Sequence, residues 1–159
     1  KSNSGDYSTT ADVLIEVINS YTKLGKEFDY VCCIYPTAPF LKAKTLMHAF
    51  KKLRDLNCKS VLPVVKFSFP ILRSFKMEKD KLQLNWPKYL NTRSQDLPNS
   101  YHDAGQFYFF RTDFFLLEKK VFTDNTYGVE IPEAEVQDID TPEDWIIAEM
   151  KYKISNKIE

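Results

Sequence analysis

Tyr30-Val31-Cys32-Cys33-Ile34-Tyr35 is an unbroken apolar run of strand length, closed at once by Pro36. A strand that is apolar on both faces suits the middle of a sheet with helices on either side. Upstream, Thr9 and Asp12 read as a capping box, and Val13, Leu14, Val17, Ile18, Tyr21 and Leu24 recur at helical spacing until Gly25. Downstream, Ala43, Leu46, Met47, Phe50 and Leu53 mark one face of a second helix, and Ser60 to Val65 reads as another buried strand. Strand, helix and strand in alternation predict an α/β fold with a mostly parallel central sheet.

The pattern changes beyond Val65. Ile71 to Met77 and Leu82 to Trp86 flank the polar Glu78-Lys79-Asp80-Lys81, which predicts a hairpin arm at about 67–86 projecting from the sheet. After a polar loop, Gln106 to Phe110 returns to strand character. Thr112 stands where it would cap a short helix through Phe115 and Leu117, and Asp124 to Gly128 reads as a turn. A last helix starts at Pro142 and runs towards Tyr152, with Trp145, Ile146 and residues 148–150 available for packing. No internal repeat, low-complexity tract or linker divides the chain, so residues 1–159 are expected to form a single domain.

Composition sets bounds on function. The 43% apolar and 14% aromatic residues are enough for a sizeable core in 159 residues, and 22 acids balance 22 bases. That balance argues against a global electrostatic grip on nucleic acid or on an anionic membrane. No apolar run approaches a membrane span, and Lys1-Ser2-Asn3-Ser4-Gly5 does not resemble a signal peptide. Cys32, Cys33 and Cys58 are odd in number and lack metal-ligand spacing, which suits buried reduced thiols in a cytoplasmic protein.

Three segments carry candidate chemistry. Asp138-Ile139-Asp140-Thr141-Pro142-Glu143-Asp144 is read as a short strand running into a helix, so Asp138 and Asp140 would share one face and could converge on a hard cation such as magnesium. The plainer reading, a helix cap, accounts for Thr141 to Asp144 and leaves both aspartates unexplained. Tyr35-Pro36-Thr37-Ala38-Pro39-Phe40 lies beyond the carboxyl end of a buried strand, where open α/β sheets bind ligands, although its prolines would also serve simply to end the strand. The loop from Arg93 through Gln95, Asp103 and Gly105 to Gln106 gathers polar groups between two apolar elements. There Arg93 is suited to an anion or to a surface ion pair, and Gly105 to close backbone approach. Arg73, on the hairpin, reads either as an anion contact or as an ordinary surface residue. The four glycines are scattered, so no glycine-rich phosphate cradle is present.

Taken in register, these three segments resemble the acylneuraminate cytidylyltransferase family, the CMP-nonulosonate synthetases. The resemblance implies a Rossmann-like nucleotide-diphospho-sugar transferase fold and a magnesium-dependent homodimer whose substrates are CTP and a nonulosonic acid. It implies that Asp138 and Asp140 hold the metal and that Arg93 acts with them in catalysis. Tyr35, Pro36, Thr37, Ala38, Arg73, Gln95, Asp103, Gly105 and Gln106 would then line the substrate pocket. Tyr35 before the Pro-Thr pair, and Ala104-Gly105-Gln106 in the later loop, resemble the pseudaminic acid branch more than the sialic acid branch. Members of the family begin with a strand and a basic glycine-containing loop for the triphosphate, and Ser4-Gly5-Asp6 resembles the segment after it. The chain is therefore expected to be the carboxyl-terminal part of such an enzyme, inactive alone for want of that loop. The other readings are a catalytically silent sugar-binding or dimerising fragment and a cytidylyltransferase for sialic acid.

Overall fold

The computed structural model describes residues 8–156, so Lys1-Ser2-Asn3-Ser4-Gly5 and Ser4-Gly5-Asp6 lie outside the described residues. Helix α1 (Thr10–Lys23) opens with the capping box: Asp12 N–H donates to Thr9 Oγ1 at 3.2 Å, and Thr9 N–H donates to Asp12 Oδ2 at 3.2 Å. Strand β1 (Tyr30–Ile34), helix α2 (Ala43–Asp55) and strand β2 (Ser60–Lys66) follow. Strands β3 (Phe75–Glu78) and β4 (Lys81–Leu84) pair as a hairpin whose two turn residues, Lys79 and Asp80, both take positive φ, as a tight two-residue turn requires. Then come β5 (Tyr101–Asp103), β6 (Phe107–Arg111), helix α3 (Thr112–Glu118), β7 (Thr126–Glu130) and helix α4 (Pro142–Asn156).

The α/β class holds, but the expected mostly parallel sheet is corrected. Strand order is β1-β6-β2-β5 with β7 on the other edge of β2, and among the described residues only β2 and β7 pair in parallel. Strands β1 and β2 do run the same way, as a helical crossover demands, yet β6 lies between them, antiparallel to both. A strand buried on both faces has the same composition in either direction, so Phe107–Arg111 carries no sign of its polarity.

Burial on both faces is real for β1. Tyr30 and Cys32 pack on the cluster formed with Ala49 and Leu53 of α2, while Val31 and Cys33 pack on Leu14 and Ile18 of α1 and Phe115 of α3. The adjacent thiols thus face opposite layers, and Cys32, Cys33 and Cys58 are all unpaired. Burial pushes the Cys32 thiol up to about 12.

Four further expectations are corrected. Asp138 and Asp140 lie in an irregular segment after a 3-10 turn (Glu133–Glu135), because no neighbouring strand offers that segment a ladder. The expected turn at Asp124–Gly128 is half strand, since β7 starts at Thr126 against Ser60. Thr112 does not cap α3; its hydroxyl is buried without a partner, and Arg111 is the N-cap. On α4 only Ala148 is buried, with Trp145, Ile146 and Met150 exposed. No helix among the described residues is long and apolar enough to cross a membrane.

Candidate functional site

The site is built around an irregularity between β5 and β6. Val61 pairs with Phe109 and Val64 with Asp103, so Leu62 and Pro63 stand opposite residues 104–108 and the longer strand must bulge. Pro63 is tolerated in this central strand because the N–H it lacks would have pointed at the bulge; its carbonyl accepts from Ala104 N–H at 3.0 Å.

Gly105 sits at the crest with φ +62, a conformation that favours glycine. Its N–H donates to Asp103 Oδ1 at 2.9 Å, while the Tyr108 hydroxyl donates to Asp103 Oδ2 at 2.7 Å. Burial first, and then the bond to Asp103, push the Tyr108 phenol well above its usual range, so it remains a donor at neutral pH. Tyr35 sets its ring edge-on to Tyr108 at 5.4 Å, shares a 2.8 Å hydrogen bond with the Thr10 hydroxyl, and donates its backbone N–H to Gln106. Pro36 is exposed and Thr37 and Ala38 are half-buried in the loop that follows.

Across the bulge lies a cavity of about 460 Å3 lined by Asp103, Gly105, Tyr108, Asp138 and Lys151. Asp138 is exposed, and Ile139 turns the other way into an apolar groove with Phe40 and Trp145. The helix that follows is capped reciprocally: Asp144 N–H donates to Thr141 Oγ1 at 3.2 Å, and Thr141 N–H donates to Asp144 Oδ2 at 2.9 Å. Asp140 contributes only its N–H to this cap, at 3.3 Å from Asp144 Oδ2, so the cap uses neither the Asp138 nor the Asp140 carboxylate.

The structure brings Asp103, Gly105 and Asp138 together, but not every residue singled out in the sequence. Arg93 forms a two-point pair with Asp96 at 2.7 and 3.2 Å on the surface, and Gln95 is exposed beside it. Arg73 donates to Ser94 at 3.3 Å, next to a groove of Phe67 and Phe69. None of these three lines the Asp138 cavity. Gln106 is 2% exposed and donates its amide to the Glu135 carbonyl at 2.8 Å, so it lies beneath the site. Tyr108 and Lys151 were not legible as site residues. The first reads as a core aromatic in a buried strand, and the second as one lysine among many on a helix.

Oxygen donors dominate the cavity. Among the described residues no cluster of three or more His, Cys, Asp or Glu forms a complete metal cage. Magnesium needs less, because it commonly binds through one or two carboxylates and completes its shell with water and substrate phosphates. An exposed Asp138, facing a position where a β-carbon is missing, suits that mode.

The solved structures similar to this chain share its fold. CMP:2-keto-3-deoxy-manno-octonic acid synthetase complexed with CTP matches with TM-score 0.59 at 13% identity, over 96% of this chain and 70% of its own. The 4-diphosphocytidyl-2C-methyl-D-erythritol synthase of Anaerococcus prevotii matches with TM-score 0.64 at 14% identity, over 92% and 65%. The fold is therefore the α/β fold that these two structures share. No family model matches the chain. Among curated proteins, the pseudaminic acid cytidylyltransferase of Campylobacter jejuni serotype O:2 is 33% identical over 99% of this chain and 68% of its own length, and that of serotype O:23/36 is 35% identical with the same coverage. A Helicobacter pylori protein named as a pseudaminic acid cytidylyltransferase joined to a hydrolase is 36% identical over 72% of this chain and 22% of its own. The chain belongs to the pseudaminic acid cytidylyltransferase family.

Proposed function

We propose that the protein transfers CMP from CTP to the anomeric hydroxyl of a nonulosonic acid, pseudaminic acid above all, and releases pyrophosphate. The observation that carries this reading is similarity to two pseudaminic acid cytidylyltransferases along 99% of the chain, the Asp138 segment and the bulge included. In the reaction the sugar oxygen forms a new bond to the α-phosphorus and the α–β anhydride bond breaks. Pyrophosphate leaves with that electron pair, and the hydroxyl proton passes to solvent or a base.

Asp138 and Asp140 would hold magnesium, which when bound offsets phosphate charge and lowers the cost of charge build-up. Gly105 keeps the backbone low beside Asp138 and leaves room for a substrate group. Asp103, fixed by Tyr108 and the Gly105 N–H, maintains the bulge. Arg93 would meet a substrate anion only by exchanging its Asp96 partner, a modest step because exposed ion pairs contribute about 0–1 kcal/mol.

A homodimer completes the proposal. On the β3–β4 hairpin Phe75, Met77 and Leu82 are 56%, 68% and 61% exposed, an apolar surface suited to a second copy. Unpaired thiols and a CTP substrate suit the cytoplasm.

The test is pyrophosphate release by the full-length protein with CTP, magnesium and pseudaminic acid, run beside N-acetylneuraminic acid. A site built around one sugar's polar groups leaves buried atoms unpaired with the other, so kcat/KM is expected to favour pseudaminic acid by about a hundredfold or more. No release above background would sink the reading; equal rates with both sugars would move the chain to the sialic acid branch.

A further inference from the structure

The segment that delivers Asp138 has no ladder, yet the carbonyls of Glu133, Glu135, Val136 and Asp138 are answered by side chains. Lys151, half-buried on α4, donates its ammonium to the carbonyls of Val136 at 2.6 Å and Glu133 at 3.2 Å, and to Gln137 Oε1 at 3.1 Å. Gln106 donates to the Glu135 carbonyl at 2.8 Å, and the Gln137 amide donates to the Asp138 carbonyl at 3.0 Å and to Asp144 Oδ1 at 3.1 Å. An ammonium has three N–H donors, and here all three are committed. Lys151 therefore has no donor left for a substrate phosphate, although it lines the cavity.

We propose that Lys151 is a positioning residue that fixes residues 133–138 against α4 and thereby sets the Asp138 carboxylate at the cavity wall. Backbone groups withdrawn from water need partners, and where no strand is available a side chain must supply them. Three donors converging from one ammonium replace a ladder with a single removable staple. Residues that orient a metal ligand without touching the metal typically change metal affinity ~10–100-fold when lost. That last consequence rests on the cytidylyltransferase reading; the staple itself does not.

The experiment compares Lys151→Met, which keeps the stem, and Lys151→Arg, which keeps donors, with Asp138→Ala. Amide hydrogen exchange across residues 136–138 and Mn2+ binding followed by electron paramagnetic resonance are measured in the intact protein. In Lys151→Met, exchange in that segment should rise about tenfold or more while α2 and β2 stay protected, and the Mn2+ dissociation constant should rise about tenfold. Lys151→Arg should recover much of both. Unchanged exchange in Lys151→Met overturns the proposal. So does faster exchange with wild-type Mn2+ affinity if Asp138→Ala loses the ion, because Lys151 would then be structural only. If exchange rises and Asp138→Ala still binds Mn2+ normally, the staple stands and the metal assignment falls. Global loss of protection in Lys151→Met shifts the decision to Lys151→Gln, which shortens the donor and must show the same local loss.

Discussion

A β-carbon on Gly105 would stand 3.4 Å from Asp138 Oδ2. Residues from two separate segments thus meet, and a methyl there would stand at ordinary contact distance, so the constraint at Gly105 is its φ of +62, where a side chain is strained. Gly105→Ala is expected to lose about 1–2 kcal/mol of stability from backbone strain and to cut kcat/KM more than tenfold as the bulge relaxes away from φ +62 beside Asp138. Thermal melting and pyrophosphate release on the same preparation separate the two effects. Wild-type turnover at a lowered Tm would show that the contact has no catalytic consequence.

Asp138→Ala and Asp140→Ala are each expected to abolish turnover and leave the fold intact. Both aspartates are exposed and neither carboxylate takes part in the α4 cap. The check is the rate at limiting magnesium beside a circular dichroism spectrum. Near-normal rates in either variant would remove that residue from the metal site.

Asp144 gives a pH signature. Hydrogen bonds from the Thr141 hydroxyl and N–H hold its carboxyl below the ordinary value of 3.8. A pKa lowered in the folded state contributes stability that is fully present above the unfolded value and is lost as pH falls through the folded one. The stability difference between wild type and Asp144→Ala should therefore be constant from neutral pH to about 5 and shrink as the pH falls below 3.8. Urea titrations at several pH values measure it; a difference that widened in acid would contradict the cap.

The hairpin predicts self-association. Met77 and Leu82 are directly opposed across β3 and β4 and both are exposed, so charging them leaves the core untouched. Met77→Glu with Leu82→Glu should halve the mass seen by light scattering. Ile71 and Leu72, at the base of the arm, are half-buried and would confound folding with association. An unchanged mass would count against the hairpin as the dimer surface.

Much of the architecture is written locally. The Thr9–Asp12 box, the two-faced apolar run of β1, the β3–β4 turn and the Thr141–Asp144 cap each depend on residues within a few positions of one another, so pattern and spacing specify them. The same locality makes Asp138, Gly105 and the Tyr35 loop conspicuous as candidates. What pairs with what is a different matter. Insertion of β6 between β1 and β2 depends on pairings as distant in the chain as Tyr30 with Arg111, and an apolar strand reads alike in both directions. The meeting of Gly105 with Asp138, the withdrawal of Gln106 beneath the site and the Lys151 staple all join segments whose separation no spacing rule encodes. Local sequence determined the elements and the residues able to do chemistry; only the tertiary structure decided which of them share a cavity, because hydrogen bonds and packing act through space and a single chain records only order.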